Sequence, residues 1–206
     1  VKPVSEPSGL TTGDELLHLK HQVIVICRQL YEKGLLAGAD GNLSVKLGTN
    51  SILTTPTGAH KGFITKEELV ITDLAGNVTE GTGRPSSELA MHVAIYEADP
   101  ACRAIVHTHA PYALALSLSN RPFDSSRLAE TELILGEVVE VPYAPPGTPE
   151  LARAVAACTD RGPVQILARH GAVSRGKTLM EAFQLMECLE HNARILVMAE
   201  LLGRFE

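Results

Sequence analysis

Apolar residues recur at helical spacing near the start of the chain: Leu16, Leu19, Val23, Ile26 and Leu30 share one face, and Gly34 ends the run. Thr12 followed by Glu15 is a capping-box start for this helix. The period then shortens. LLAGADGNLSVKL at 35–47 reads as a glycine-rich turn running into a strand. Residues 51–55, 69–72 and Val78–Glu80 follow as further short strands between polar and glycine-rich turns. Strands this short and closely spaced predict a largely antiparallel sheet.

Helical signals return at 86–98 (SSELAMHVAIYEA), a helix capped by Ser86 or Ser87. Residues 104–109 (AIVHTH) make a strong strand, and a helix over 110–119 carries Pro111 in its first turn. Strands are predicted at 137–141 and 164–168, with a helix at 150–157 between them. Thr178 and Glu181 form a second capping box, opening a helix with the stripe Leu179, Phe183, Met186, Leu189, Ala193, Leu196 and Val197 that closes at Gly203. The mixture predicts an α/β fold: a single-domain α/β/α sandwich with helices on both faces of a central, mostly antiparallel sheet. Residues 1–12, with two prolines, two serines and no apolar period, read as a flexible leader to a domain over 13–206.

At 206 residues and 45% hydrophobic content the chain can bury a core without disulfides or a structural metal, so a metal here would serve chemistry. A net charge of −6 argues against the basic face of a nucleic-acid binder, while a phosphate can still be held by backbone N–H groups. Cys27, Cys102, Cys158 and Cys188 form no close pair and read as small hydrophobes in a reducing compartment. With no apolar run approaching a membrane span, the expectation is a cytoplasmic protein without a membrane partner. Neither phosphate-binding glycine motif of nucleotide-binding proteins is present.

Three short segments carry candidate chemistry. His107 and His109 stand two apart at the end of an apolar strand, so both imidazoles share a face and can reach one ion; the other reading is two unrelated histidines at a strand end. Arg169-His170-Gly171 ends a second apolar strand, and by itself His170 reads as a turn residue. Three neutral imidazoles would suit zinc and leave a position open for substrate. Arg84-Pro85-Ser86-Ser87-Glu88 sets two hydroxyls and free N–H groups at a helix start, which makes an anion site. Glu88 is there either a helix-dipole partner or, beside a metal, a general base. His92 shares a helix face with Glu88, whereas His18, His21, His60 and His191 take ordinary positions.

Six segments occur in a fixed order: Gly41-Asn42-Leu43-Ser44, Thr55-Pro56-Thr57-Gly58, Pro85-Ser86-Ser87-Glu88, HTHA at 107–110, Pro142-Tyr143-Ala144 with Gly147-Thr148, and Arg169-His170-Gly171. Together, across roughly Leu16 to Leu202, they resemble the class II aldolase/adducin family, and within it the L-fuculose-1-phosphate aldolase type. The resemblance implies that His107, His109 and His170 hold Zn²⁺ or another divalent metal, with Glu88 as acid/base at the carbon where the bond breaks. Gly41, Asn42, Thr57, Gly58, Ser86 and Ser87 would cradle the phosphate of a small phosphorylated sugar. It further implies a homotetramer with active sites between subunits, and reversible cleavage of a ketose 1-phosphate to dihydroxyacetone phosphate and an aldehyde through a metal-stabilised enediolate.

One departure matters. That aldolase type carries a proton-donating tyrosine ahead of Pro142, but RLAETELILG at 127–136 has none, so Glu130 or Glu132 is the substitute candidate. Within the same fold, sugar-phosphate 4-epimerases normally have aspartate where Glu88 stands, and oxo-acid sugar-phosphate decarboxylases share the three histidines. A metal-free, adducin-like interaction module would need neither the three ligands nor the carboxylate. A zinc hydrolase would leave the phosphate-binding turns unexplained.

Overall fold

The helix predicted first is α1 (Gly13–Glu32), which buries Val23, Ile26, Cys27 and Leu30 along the expected face. The computed structural model describes residues 13–203, so the leader expected over 1–12 and the Thr12 cap lie outside the described residues. Strands β1 (Asn42–Lys46), β2 (Ile52–Thr54), β3 (Val70–Thr72) and β4 (Val78–Glu80) follow, then α2 (Leu89–Ala98), β5 (Ala104–Thr108) and α3 (Pro111–Leu118). The remainder comprises α4 (Ala129–Leu135), β6 (Val139–Val141), α5 (Pro149–Ala156), β7 (Val164–Leu167), β8 (Gly171–Gly176) and α6 (Leu179–Leu201). Sequence pattern anticipates every one of these except α4 and β8.

All eight strands join one sheet in the order β4-β3-β2-β1-β5-β8-β7-β6. Each neighbouring pair is antiparallel except β6 and β7, which run parallel because α5 carries the chain back across the sheet between them. The missed strand β8 sits between β5 and β7 and pairs with both.

Alternation along the strands sorts side chains onto two faces. Leu43 and Val45 of β1, Ala104 and Val106 of β5, and Ala172 of β8 enter the larger core, with Ile26 and Leu30 of α1 and Met186 and Leu189 of α6. Ile105 and Val173 face the other way, into a smaller core with Met91 and Ile95 of α2 and Leu151 and Val155 of α5. The expected α/β/α layering is therefore present.

Helix starts are mixed. The second capping box forms: the Thr178 hydroxyl accepts from the Glu181 N–H at 3.1 Å, and the Glu181 carboxylate accepts from the Lys177 N–H at 2.7 Å. For α2 the expectation of a serine cap is corrected, because Glu88 occupies the capping position without a capping bond from its own side chain. A bridge between Pro56 and Pro85 holds the preceding segment against the sheet, and the Ser86 hydroxyl accepts from the Glu88 N–H at 3.2 Å. Among the described residues no helix is long and apolar enough to cross a membrane, and all four cysteines are free thiols.

Candidate metal centre

The end of β5 delivers the first two histidines. His107 is fully buried, and its Nδ1–H donates to the Ala172 carbonyl of β8 at 2.9 Å, which leaves the Nε2 lone pair pointing away from the strand pair. His109 lies just past the strand, its Nδ1 3.4 Å from Asp40 Oδ2. His170 comes from the turn joining β7 to β8, where its N–H donates to the Leu167 carbonyl at 3.0 Å. The residue before it, Arg169, adopts φ 58°, the left-handed region that bulky side chains avoid. The Arg169 guanidinium lies 3.9 Å from the Tyr143 ring centre, a stacking that supports this strained position.

These elements bring the three rings together. Their centroids are 5.4 Å apart for His107 and His109, 4.8 Å for His107 and His170, and 5.3 Å for His109 and His170. One ligand-capable atom from each lies within 4.8 Å of the others, so the group can hold a metal ion. Gly171 makes the approach possible. A Cβ there would collide with the Thr108 carbonyl and sit 3.2 Å from carbons of both His107 and His109. Burial first, then the charge of His107, lowers the pKa of His170 to about 4, and burial likewise lowers His109. Both stay neutral at pH 7, the form that donates a lone pair.

Glu88 reaches the same point from the start of α2. Its Oε2 lies 3.0 Å from His107 Nε2 and accepts from the Asn42 amide at 3.1 Å, while Oε1 is 3.2 Å from His170 Nε2. Burial pushes the Glu88 carboxyl up, but hydrogen bonding and charge from His107, the charge of His170 and the Asn42 amide outweigh it, leaving a pKa of about 2. When His107 is neutral with its proton on Nδ1, that bond is lost: Nε2 and the carboxylate then present two lone pairs to each other, with His107 Nε2 and Glu88 Oε1 both buried. Only a cation between these atoms, a metal ion or a proton, relieves that juxtaposition. The donor set fits a metal.

Of the residues expected at the phosphate, Asn42 and Ser86 bond to Glu88, and Thr57 is tied to the segment that precedes it. Asn42 stands opposite His107 in the β1–β5 ladder, and Gly41 before it at φ 65° would, with a Cβ, come 2.6 Å from the His107 carbonyl. The Thr57-Gly58 turn is tied to the helix start by the Thr57 N–H, which donates to the Arg84 carbonyl at 3.0 Å. Ser86 is buried and Ser87 exposed, with the Gly147 turn packed against the Ser87 backbone. Glu130 and Glu132 are different. They are exposed on α4, which packs on the α6 side of the sheet, and among the described residues no hydrogen bond or ion pair joins either one to the triad.

Further residues complete the surroundings of the site, His92 on the helix face it shares with Glu88 among them. Behind Glu88, the Ser44 hydroxyl lies 2.7 Å from His92 Nδ1 and 2.8 Å from the Tyr96 hydroxyl, so His92 belongs to a buried polar network. Asp40 beside His109 and the buried Lys61 carried no motif signal. His60 packs against the rings of Tyr31 and Phe63. Cavities of about 790 and 860 Å³ open elsewhere, and neither is lined by a triad residue.

Residues 21–197 match the family described as the Class II Aldolase and Adducin N-terminal domain. An L-fuculose phosphate aldolase of Methanococcus vannielii is 38% identical over 84% of this chain and 93% of its own length. A 3-oxo-tetronate 4-phosphate decarboxylase of Haemophilus influenzae is 35% identical, over 85% of each chain. Among solved structures, the L-fuculose-1-phosphate aldolase of Thermus thermophilus superposes with a TM-score of 0.79 at 31% identity, covering 92% of this chain and 98% of that one. These relatives are lyases, and the solved one shares the fold. The chain belongs to the class II aldolase and adducin family, on the side of its enzymes, the metal-dependent lyases.

Proposed function

We propose that the chain is a zinc-dependent aldolase that reversibly cleaves a short ketose 1-phosphate to dihydroxyacetone phosphate and an aldehyde. The observation that carries this reading is the buried carboxylate of Glu88 set 3.0 and 3.2 Å from two imidazoles of a three-histidine cluster. His107, His109 and His170 would hold the ion, as three neutral imidazoles suit Zn²⁺ and leave a position for substrate. When bound, a divalent cation polarises a substrate carbonyl as a Lewis acid and lowers the barrier to carbanion character at the adjacent carbon. Glu88, held as a carboxylate by its partners, takes a proton from that carbon in the condensing direction and returns it in the cleaving direction. Asn42 would keep the carboxylate turned toward the three histidines. The backbone N–H groups and hydroxyls of Gly41, Asn42, Thr57, Gly58, Ser86 and Ser87 would receive the substrate phosphate beside it.

The reading extends to a cytoplasmic homotetramer in which residues 13–206 act as one catalytic domain. A neighbouring subunit would then be the route by which Glu130 or Glu132 protonates the leaving alkoxide. A monomeric mass in sedimentation at assay concentrations would remove that route.

Likeness to the Haemophilus influenzae decarboxylase supports a second reading on the same residues. Loss of carbon dioxide from a 3-oxo acid leaves its electron pair where the same polarised carbonyl can accept it. The deciding experiment incubates the zinc-loaded chain with dihydroxyacetone phosphate and short aldehydes, with and without chelator, beside a 3-oxo-tetronate 4-phosphate assay. Chelator-sensitive condensation is the expected result. Carbon dioxide release without condensation would replace the aldolase reading with the decarboxylase one.

A further inference from the structure

We propose that Asp40 is the positioning residue for His109 and that Lys61 is the anchor holding Asp40 in place, an inference that rests on the metal-site reading above. The triad histidines are not held alike. His107 is locked by a backbone carbonyl inside the β5–β8 ladder, whereas His109 lies past the strand end with about a third of its side chain exposed. Its ion-pair partner among the described residues is Asp40, with Oδ2 3.4 Å from Nδ1. A carboxylate at Nδ1 fixes the proton there and turns the Nε2 lone pair to the cluster, while raising the basicity of the ring as a ligand.

The turn bearing Asp40 is built to stay put. Gly38 and Gly41 bracket it at φ 58° and 65°, and the Asp40 N–H donates to the Ala37 carbonyl at 3.0 Å. Lys61 crosses beneath it, only 2% exposed. Its ammonium donates to the carbonyls of Ala39 at 3.0 Å and Ala59 at 2.8 Å, and its N–H donates to the Gly38 carbonyl at 3.1 Å. Burying an ammonium is unfavourable unless hydrogen bonds offset it, and here one of those bonds goes to Ala39, directly before Asp40, and the other to Ala59, while the Lys61 backbone holds Gly38.

The test measures zinc affinity of the full chain by competition with a chromophoric chelator, for the parent and for Asp40→Ala, Asp40→Asn and Lys61→Met. Asp40→Ala is expected to weaken zinc about 10–100-fold, the usual effect of removing a carboxylate behind a histidine ligand, and to shift the visible absorption of the cobalt-loaded protein. Asp40→Asn should lose less, because its carbonyl still accepts the Nδ1 proton. Lys61→Met should also weaken zinc, but not further when added to Asp40→Ala, since the two act through one path. Asp40 is half exposed, so metal-free Asp40→Ala should melt with the parent. Unchanged zinc affinity in Asp40→Ala, or additive losses in the double variant, overturns the proposal. A parent chain that binds no zinc overturns the metal-site reading itself.

Discussion

The two faces of the sheet use the same strands for opposite purposes. Toward α1 and α6 the buried strand positions are Leu43, Val45, Leu53, Ile71, Ala104, Val106, Val164, Ile166 and Ala172. Thr108 and Ser174 also fall on that side, and their hydroxyls are bonded to Met186 sulfur and the Ala182 carbonyl. One residue over, toward α2 and α5, the central strands place Asn42, Ser44 and His107, while apolar residues such as Ile105 and Val173 continue further along. Period-two alternation thus lets one strand supply core and chemistry at once. Stability should therefore rest mainly on the first face and metal chemistry on the second.

Separating the two faces is a matter of measurement. The largest effect is expected from His107→Ala, which removes a ligand. Aldol activity should fall roughly 10³-fold, matching the several kcal/mol that a Lewis acid supplies, while circular dichroism stays that of the parent. Near-parental turnover would break the assignment of chemistry to the α2 face. Leu189→Ala, on the fully buried stripe of α6, should lower unfolding free energy by about 2–5 kcal/mol in urea and leave zinc affinity unchanged. If zinc affinity fell in step, the faces would be coupled rather than divided.

Ser44→Ala probes the polar layer behind the site. It strands the His92 and Tyr96 partners and should lower stability by about 1–3 kcal/mol by the same urea titration, with metal binding intact. Acid gives the smallest change near neutrality. Burial first, aided by the charge of His107, lowers His92 from 6.5 to about 3, and burial lowers His170 from 6.5 to about 4. The unfolded chain then binds protons that the native chain refuses. Stability of the metal-free protein is full above pH 6.5 and declines as pH falls through the interval down to about 3. A flat profile of unfolding free energy over that interval would count against neutral, buried histidines.

Much of this arrangement was legible in the sequence where the pattern was local. The stripe of α6 and the spacing of His107 and His109 each report one element, and each element is there. What escaped depended on partners distant in the chain. Strand β8 reads GAVSRG, too small and mixed to announce a strand, and it becomes one because β5 and β7 flank it. Helix α4 is short, carries no side-chain cap and leaves Leu133 87% exposed, so its own residues give little periodic signal. The serine cap of α2 failed because Glu88 takes the capping position, with the Ser86 hydroxyl bonded to the Glu88 N–H instead. Asp40 and His109 meet only after β1 has paired with β5.

The β5–β8 ladder has one more consequence. Its register from Ala104 opposite Gly176 to Thr108 opposite Ala172 is what carries His170 to the end of β5. Opening that ladder separates the ligands, so a metal ion would bind the closed form and not the open one. By mass action, free metal at a hundred times its dissociation constant would then hold the ladder shut by about 2.7 kcal/mol more than in its absence. Metal supply would set how often this segment opens, and with it how readily a protease could cut the chain there.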